Sequence, residues 1–155
     1  MSKSVKRVED RARDLGLDIV IRRMPDSTRT AEEAAIACGC ALGQIVKSLI
    51  FEGADSGDLK LVLVAGDKQA DSGRMRGVIG EDLKRADVRK VREITGFAIG
   101  GVAPIGHLTE IATFMDESFF RFATVWAAAG APNAVFEATP EALKEVTGAT
   151  LVAVS

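Results

Sequence analysis

The chain has 155 residues, of which 47% are hydrophobic and 27% charged, and its formal net charge at pH 7 is −2. This size and composition predict one globular domain over residues 1–155 with a core of its own. The small net charge argues against tight, non-specific binding to duplex nucleic acid, although a local phosphate site remains open. No apolar run approaches the roughly 20 residues of a membrane span, and the N-terminus lacks the apolar region of a signal peptide. We therefore expect a cytoplasmic protein with no membrane partner.

The first part of the chain carries alternating helix and strand patterns. In chain order these patterns predict a helix, a strand, a second helix and two further strands over 3–15, 17–24, 30–39, 45–52 and 59–65. The second helix is predicted to begin at the capping box Thr30-Ala31-Glu32-Glu33. The last two strands flank a turn cluster at 53–58, which predicts a β-hairpin. Residues 69–85 are polar, with weak helical character.

The second part is richer in strands. Its predicted elements are a helix at 87–95, strands at 97–99, 108–115, 124–129 and 134–137, a helix at 139–148 and a strand at 151–154. The helix at 139–148 is marked by Thr139 as N-cap and Pro140 at the first helical position. Because strands outnumber helices and do not alternate with them strictly, we predict an α+β fold with a mixed, curled sheet.

Lys47 interrupts the otherwise apolar strand pattern of residues 45–51. Alternation places Ile45, Lys47, Leu49 and Phe51 on one strand face. A lysine on an apolar face is unfavourable unless its ammonium finds an anion or a wet cavity. The pattern therefore indicates either a cation aimed at a phosphate or developing oxyanion, or an edge-strand lysine that reaches solvent.

A second unusual segment, 100–107, combines Gly100, Gly101 and Gly106 with Pro104 and the only histidine of the chain. Glycines allow a backbone to approach a ligand closely, and proline makes the loop rigid. This spacing matches neither a dinucleotide fingerprint nor a P-loop. The segment indicates either a backbone wall for a small substrate or a structural turn. The histidine, His107, is either a general base or a hydrogen-bonded structural residue.

The other polar candidates carry weaker signals. Asp116 and Asn133 stand in turn contexts and have the pattern of a helix cap and a turn residue. Cys38 and Cys40 have neither zinc-site nor C-x-x-C spacing, so we predict small buried thiols and no metal site. The basic cluster at 84–92 is interpreted as a solvated helix face or a contact for a polyanion.

Taken together, these segments resemble the YbaK / prolyl-tRNA synthetase-associated editing-domain family. The resemblance lies in the helix, the lysine strand, the following strand, the Gly-x-x-x-Pro loop (Gly100 to Pro104) and the closing segments, at 30–35, 45–51, 64–67, 95–106, 116–120 and 130–136. Lys47 stands at the position of the family's lysine. The lysine strand and the glycine-proline loop at this separation are the most specific part of the match.

This resemblance implies a trans-acting deacylase that hydrolyses the ester joining a wrong, small amino acid to tRNA. It implies a barrel-like mixed sheet with flanking helices, and neither a metal nor an organic cofactor. Lys47 and Gly100 are then the catalytic candidates, with a 2′-hydroxyl of the substrate helping to activate water. The substrate-binding candidates are Met24, Thr30, Ile45, Gly101, Pro104, Ile105, Gly106, His107, Asp116 and Asn133.

The expected partner is the acceptor end of a mischarged tRNA, with a synthetase or elongation factor supplying further selectivity. Two alternatives stay open. The first is a module of the same fold that binds tRNA ends or a synthetase without hydrolysis. The second is a different ester or amide hydrolase that uses His107 as its base.

Overall fold

The computed structural model describes residues 2–155. Within them lie five α-helices, namely α1 Lys3–Asp14, α2 Ala31–Cys38, α3 Ser72–Ile79, α4 Val88–Thr95 and α5 Pro140–Thr147. The strands are β1 Arg22–Arg23, β2 Val46–Gly53, β3 Leu59–Ala65, β4 Leu83–Arg85, β5 Ala112–Asp116, β6 Val125–Ala128, β7 Ala134–Ala138 and β8 Thr150–Val152. Short 3-10 helices cover Leu42–Gln44 and Glu117–Arg121.

These strands form two sheets. The larger sheet has the order β4-β2-β3-β5-β8, in which β2 pairs antiparallel with β3 and β4, while β5 pairs parallel with β3 and β8. The smaller sheet, β1-β7-β6, is antiparallel. The predicted mixed α+β fold with flanking helices is confirmed. The strands form two open sheets rather than one closed barrel, because the larger sheet ends at β4 and β8 without their pairing.

One edge of β2 is only partly covered, and this gap positions the candidate site. β2 pairs with β3 from Val46 to Glu52, but β4 reaches only its last three residues, Phe51 to Gly53. At the other end, Ile45 forms a single parallel bridge to Trp126 of β6. The β2 edge between these two contacts has no strand partner within residues 2–155.

Both faces of β2 carry apolar side chains that pack on other parts of the protein. Val46 and Ile50 contact the main core, together with α1, α4 and α5. Leu49 and Phe51 contact a second cluster on the opposite face. A third cluster, around Trp126, connects α2 to the smaller sheet.

Local signals predicted the helix ends well. The capping box at α2 is confirmed: Thr30 Oγ1 accepts from Glu33 N at 3.1 Å, and Thr30 N donates to Glu33 Oε1 at 3.3 Å. The helix ends at Gly39, whose φ of 66° suits glycine. Thr139 caps α5, with Pro140 in its first turn. The hairpin of β2 and β3 is also confirmed.

Three predicted strands were wrong in whole or in part, because part or all of each segment lacks a strand partner among residues 2–155. In the predicted strand 17–24, Leu17, Ile19 and Ile21 pack against the core, but the chain pairs only at Arg22–Arg23. Residues 97–99 form no strand, and the buried Phe97 anchors a loop.

The predicted strand 108–115 begins only at Ala112. Its first residues are held by the end of α4, where Leu108 N donates to Thr95 O and Thr109 N to Ile94 O. The weakly helical stretch 69–85 contains both α3 and β4.

Candidate active site

A cavity of about 320 Å³ lies against the open edge of β2. Its walls come from the loop before α2, the first turns of α2, the start of β2, the loop at Gly100, and strands β6 and β7. The lining residues are Thr28, Arg29, Thr30, Ala31, Ala34, Ile45, Val46, Lys47, Ser48, Leu49, Ile99, Gly100, Val102, Trp126, Ala127, Ala128 and Val135. Its volume is at the small end of the range for ligand pockets.

Lys47 is a half-buried cation in the wall of this cavity. Its Nζ donates a hydrogen bond to the carbonyl oxygen of Lys68. Within residues 2–155, no carboxylate lies within ion-pair distance of this ammonium. Because an ammonium has three donors, two remain for a ligand in the cavity.

The turn from Ala65 to Lys68, which supplies the acceptor for Lys47, is held in place by the buried carboxylate of Asp116. Lys68 N donates to Ala65 O at 2.9 Å, and Ala65 N donates to Asp116 Oδ2 at 3.0 Å. Asp116 Oδ1 accepts from Ser118 N at 2.9 Å, and the residue is only 2% exposed. Asp116 was predicted to bind substrate, but it does not line the cavity, since both of its oxygens bind backbone amides. It positions the turn.

Gly100 lines the cavity with a φ of 98°, a conformation that suits glycine. The next residue, Gly101, lies behind the wall: a Cβ atom there would be 3.1 Å from the backbone of Ala131. Gly101 N donates to Ala98 O at 3.1 Å and closes the turn. Gly100 therefore lines the cavity together with Ile99 and Val102, whereas Gly101 packs closely against the backbone of Ala131.

The second half of the loop turns away from Lys47. Pro104, Ile105, Gly106 and His107 line a different cavity of about 730 Å³, near the end of α5. This half of the loop is held by Arg7 of α1, whose Nε donates to Gly106 O at 2.6 Å. These four predicted substrate-binding residues are therefore not brought to the cavity that contains Lys47.

The His107 side chain is held by contacts with Ala103 and Phe97. Its Nε2 donates to Ala103 O at 2.8 Å, and its ring lies edge-on to Phe97, with the ring centroids 5.7 Å apart. Burial lowers the pKa of His107, and the positive charge of Arg7 lowers it further, against the opposing effect of the Ala103 carbonyl.

We expect His107 to make the protein less stable in mild acid. Because the folded pKa lies below the ordinary value of 6.5, the unfolded chain binds more protons once the pH falls through that value. The free energy of unfolding should therefore decrease as the pH falls through about 6.5. Urea unfolding of wild type and His107→Gln checks this, since His107 is the only histidine. An equally steep pH dependence in both proteins would contradict the expectation.

Two further predicted substrate-binding residues, Met24 and Asn133, bond to each other outside the cavity. Met24 N donates to Asn133 O at 2.7 Å, and Asn133 Nδ2 donates to Met24 O at 3.3 Å. Neither residue lines the cavity, because this pairing places them beside β1 and the turn before β7. The remaining predicted residues, Thr30 and Ile45, do line it.

The two cysteines are part of the packing behind α2. Cys38 and Cys40 contact the cluster around Trp126. Burial raises the pKa of the Cys38 thiol to about 11, so the thiol is protonated and unreactive near neutral pH. Within residues 2–155, no three His, Cys, Asp or Glu side chains are grouped to hold a metal ion.

Sequence reasoning missed several cavity residues. Arg29 directly precedes the capping box and was not among the predicted site residues. Ser48 follows Lys47, and its hydroxyl is buried without a hydrogen-bond partner in the described structure. Trp126, the only tryptophan, forms part of the far wall. The sequence signal that could have indicated Arg29 and Trp126 was their position near the motifs that match the family.

The side chains that line the cavity limit the chemistry it can perform. Among residues 2–155, no histidine, cysteine, aspartate or glutamate lines it, and its hydroxyls belong to Thr28, Thr30 and Ser48. It therefore offers the cations of Lys47 and Arg29, backbone groups and apolar walls rather than a nucleophile paired with a base. Such a site can hold an anionic or carbonyl group and position a water molecule.

Comparison with known proteins assigns the fold and the cavity to a family. Residues 25–146, which include every cavity-lining residue, match the family of aminoacyl-tRNA editing domains. The chain belongs to this family. The predicted resemblance to editing domains is thereby confirmed.

The chain is also similar to individual members. It is 37% identical to "Uncharacterized protein YwhH" of Bacillus subtilis (strain 168) over 119 residues, 77% of this chain and 75% of that protein. Over 119 residues it is 24% identical to "Putative Cys-tRNA(Pro)/Cys-tRNA(Cys) deacylase EbsC" of Enterococcus faecalis (strain ATCC 700802 / V583), covering 76% and 72%. The crystal structure of "a putative trans-editing enzyme for prolyl tRNA synthetase" superposes with a TM-score of 0.91 at 44% identity, covering 98% and 96% of the two chains.

No helix among the described residues is long and apolar enough to cross a membrane.

Proposed function

We propose that this editing-domain protein is a trans-acting aminoacyl-tRNA deacylase. It hydrolyses the ester that joins a small, wrongly attached amino acid to tRNA. The observation that carries the proposal is the cavity of about 320 Å³ in which Lys47 and Gly100 meet. Family membership and the names of the relatives support the same activity.

The cavity suits hydrolysis of an ester that is already reactive. In the proposed reaction, water attacks the ester carbonyl carbon, the bond to the ribose oxygen breaks, and that oxygen leaves with a proton. The ammonium of Lys47 stabilises either the terminal phosphate or the developing oxyanion. The backbone at Gly100 holds the amino-acid part, and a substrate 2′-hydroxyl helps to activate water. This division of roles requires no protein nucleophile.

Size selection follows from the walls. Ala34, Ile45 and Val102 are buried residues that narrow the cavity. A tight apolar pocket rejects larger side chains more effectively than it distinguishes those that differ by one methylene. We therefore propose that the cavity accepts small esterified amino acids without distinguishing among them. The reaction takes place in the cytoplasm, and a synthetase or an elongation factor supplies the further selection of the tRNA.

A panel of defined mischarged tRNAs tests this function. We expect the protein to release alanine, serine, threonine or cysteine from tRNA, and to leave phenylalanyl-tRNA intact under the same conditions. Release is measured as loss of acid-precipitable label, with enzyme-free reactions as controls. Equal release of phenylalanine would contradict selection by the cavity, and release of none would contradict the activity.

The alternative is a binding module that recognises tRNA ends without hydrolysis. It is favoured by one observation, the lack of an ionisable base among the described residues lining the cavity. Binding of a non-hydrolysable aminoacyl-adenosine analogue, together with no release from any ester, would establish it. The hydrolase based on His107 has no such support, because His107 lies in another cavity and its Nε2 is bonded to Ala103 O.

A further inference from the structure

One arginine lines the cavity and a second stacks on a residue of its wall. Arg29 is exposed and lines the cavity, and its side chain packs beside Gly100, where an added Cβ would be 3.5 Å from Arg29 Cγ. Arg22 lies over the cavity-lining Trp126, with its guanidinium carbon 5.2 Å from the ring centroid. A guanidinium stacked in this way keeps its N–H groups free to bind a phosphate.

The strand register places Arg22 on the cavity side of the smaller sheet. Arg22 pairs with Val135, which in turn pairs with Ala128, so the three side chains share one face. Val135 and Ala128 both line the cavity. Arg23, the next residue, pairs with Ala134 and belongs to the opposite face.

Within the described part of the chain, these arginines are not held in ion pairs, unlike part of the basic cluster near α4. Neither Arg22 nor Arg29 has an ion-pair partner among residues 2–155. In the other cluster, Lys84 and Lys90 both pair with Glu52, at 3.3 and 3.4 Å. Local positive charge is therefore available at the cavity even though the net charge of the chain is −2.

We infer that Arg22 and Arg29 form a cationic rim that binds phosphates of the single-stranded 3′ end of an RNA whose last nucleotide enters the cavity. This inference rests on the proposed function, because an ester at the 3′ end brings the preceding phosphates to the mouth of the cavity. Exposed arginines bind such a strand through charge and without reading its sequence. The rim explains how a weakly acidic protein grips RNA only at the end.

Binding of uncharged RNA tests the rim without any hydrolysis. The probe is a fluorescent RNA hairpin with a four-nucleotide single-stranded 3′ overhang, titrated by anisotropy at several salt concentrations. At about 150 mM salt, Arg22→Gln/Arg29→Gln is expected to bind roughly tenfold more weakly than wild type. The plot of the logarithm of the association constant against the logarithm of the salt concentration has a negative slope. In the variant this slope should become less steep by about 1.4, the value for two single-strand phosphate contacts.

The matched control is Arg89→Gln/Arg92→Gln on α4, which makes the same charge change at two exposed arginines without ion pairs among residues 2–155. This control should bind like wild type. Unchanged binding by Arg22→Gln/Arg29→Gln, or an equal loss in the control, would overturn the rim.

Hydrolysis separates the rim from the proposed function. In Arg22→Gln/Arg29→Gln, kcat/KM should fall more on mischarged tRNA than on an aminoacyl-adenosine ester that lacks phosphates, and the extra fall should appear as a higher KM. In Arg89→Gln/Arg92→Gln the ratio of the two values should equal that of wild type. If RNA binding depends on the rim but wild type releases no amino acid, the rim stands and the deacylase assignment fails. An equal loss of kcat/KM on both substrates would instead contradict the rim and indicate a role in the cavity.

Discussion

Lys47→Ala is expected to lower the single-turnover rate of ester hydrolysis by about 10²–10³-fold, the usual effect of removing one donor that stabilises a developing oxyanion. The reason is that Lys47 is the only ammonium lining the cavity among residues 2–155. The rate is measured with enzyme in excess over an alanine-charged tRNA that normally carries another amino acid. A rate loss at saturating enzyme separates a role in the reaction from a role in binding.

Lys60→Ala is the matched control for this substitution. Lys60 lies on the neighbouring strand β3, is half-buried, and lines a separate cavity. It should retain the wild-type rate and stability. A Lys47→Ala protein that is folded and hydrolyses the ester as fast as Lys60→Ala would remove Lys47 from the mechanism.

Asp116→Ala is expected to have the largest effect on stability among the polar positions. It leaves the amides of Ala65 and Ser118 without their acceptor in a buried environment. An unsatisfied buried donor costs about 1–3 kcal/mol, so the two amides together cost roughly 2–6 kcal/mol. The free energy of unfolding from urea titration measures the loss.

Asp71→Ala provides the comparison, because Asp71 is an exposed N-cap of α3 whose loss should cost about 1 kcal/mol. Where Asp116→Ala remains folded, it should also reduce hydrolysis, since the Ala65–Lys68 turn supplies the carbonyl that holds Lys47 Nζ. Stability equal to that of Asp71→Ala would show that Asp116 is not the support inferred for this turn.

Local sequence signals predicted the helices and the hairpin because their causes are local. The capping box at Thr30, the N-cap at Thr139 and the glycines at 39 and 148 act over one helical turn. The strands were harder, since a strand exists only where a distant segment pairs with it. Residues 17–21 and 97–99 have the apolar pattern of strands, and Leu17, Ile19, Ile21 and Phe97 pack on the core. Among residues 2–155, however, no segment pairs with either stretch.

In the candidate site, too, features with local causes could be predicted and features that depend on distant segments could not. The sequence indicated Lys47 and Gly100 as members of one site, and the structure places both on one cavity. Local sequence could not show that the loop turns away after Val102, because its second half is held by contacts such as that from Arg7, nearly one hundred residues earlier. Arg29 was missed because its contact with Gly100 is also long-range.

The central claim is that this cavity breaks the ester bond, and a single-turnover reaction of the wild-type protein tests it most directly. The protein, in excess over tRNA carrying labelled alanine in place of its proper amino acid, is mixed and quenched over time. We predict release of free alanine at least about 10²-fold faster than spontaneous hydrolysis, together with intact tRNA. Release of alanine at the spontaneous rate by a protein that binds the tRNA would contradict the deacylase activity. The protein would then be a binding module.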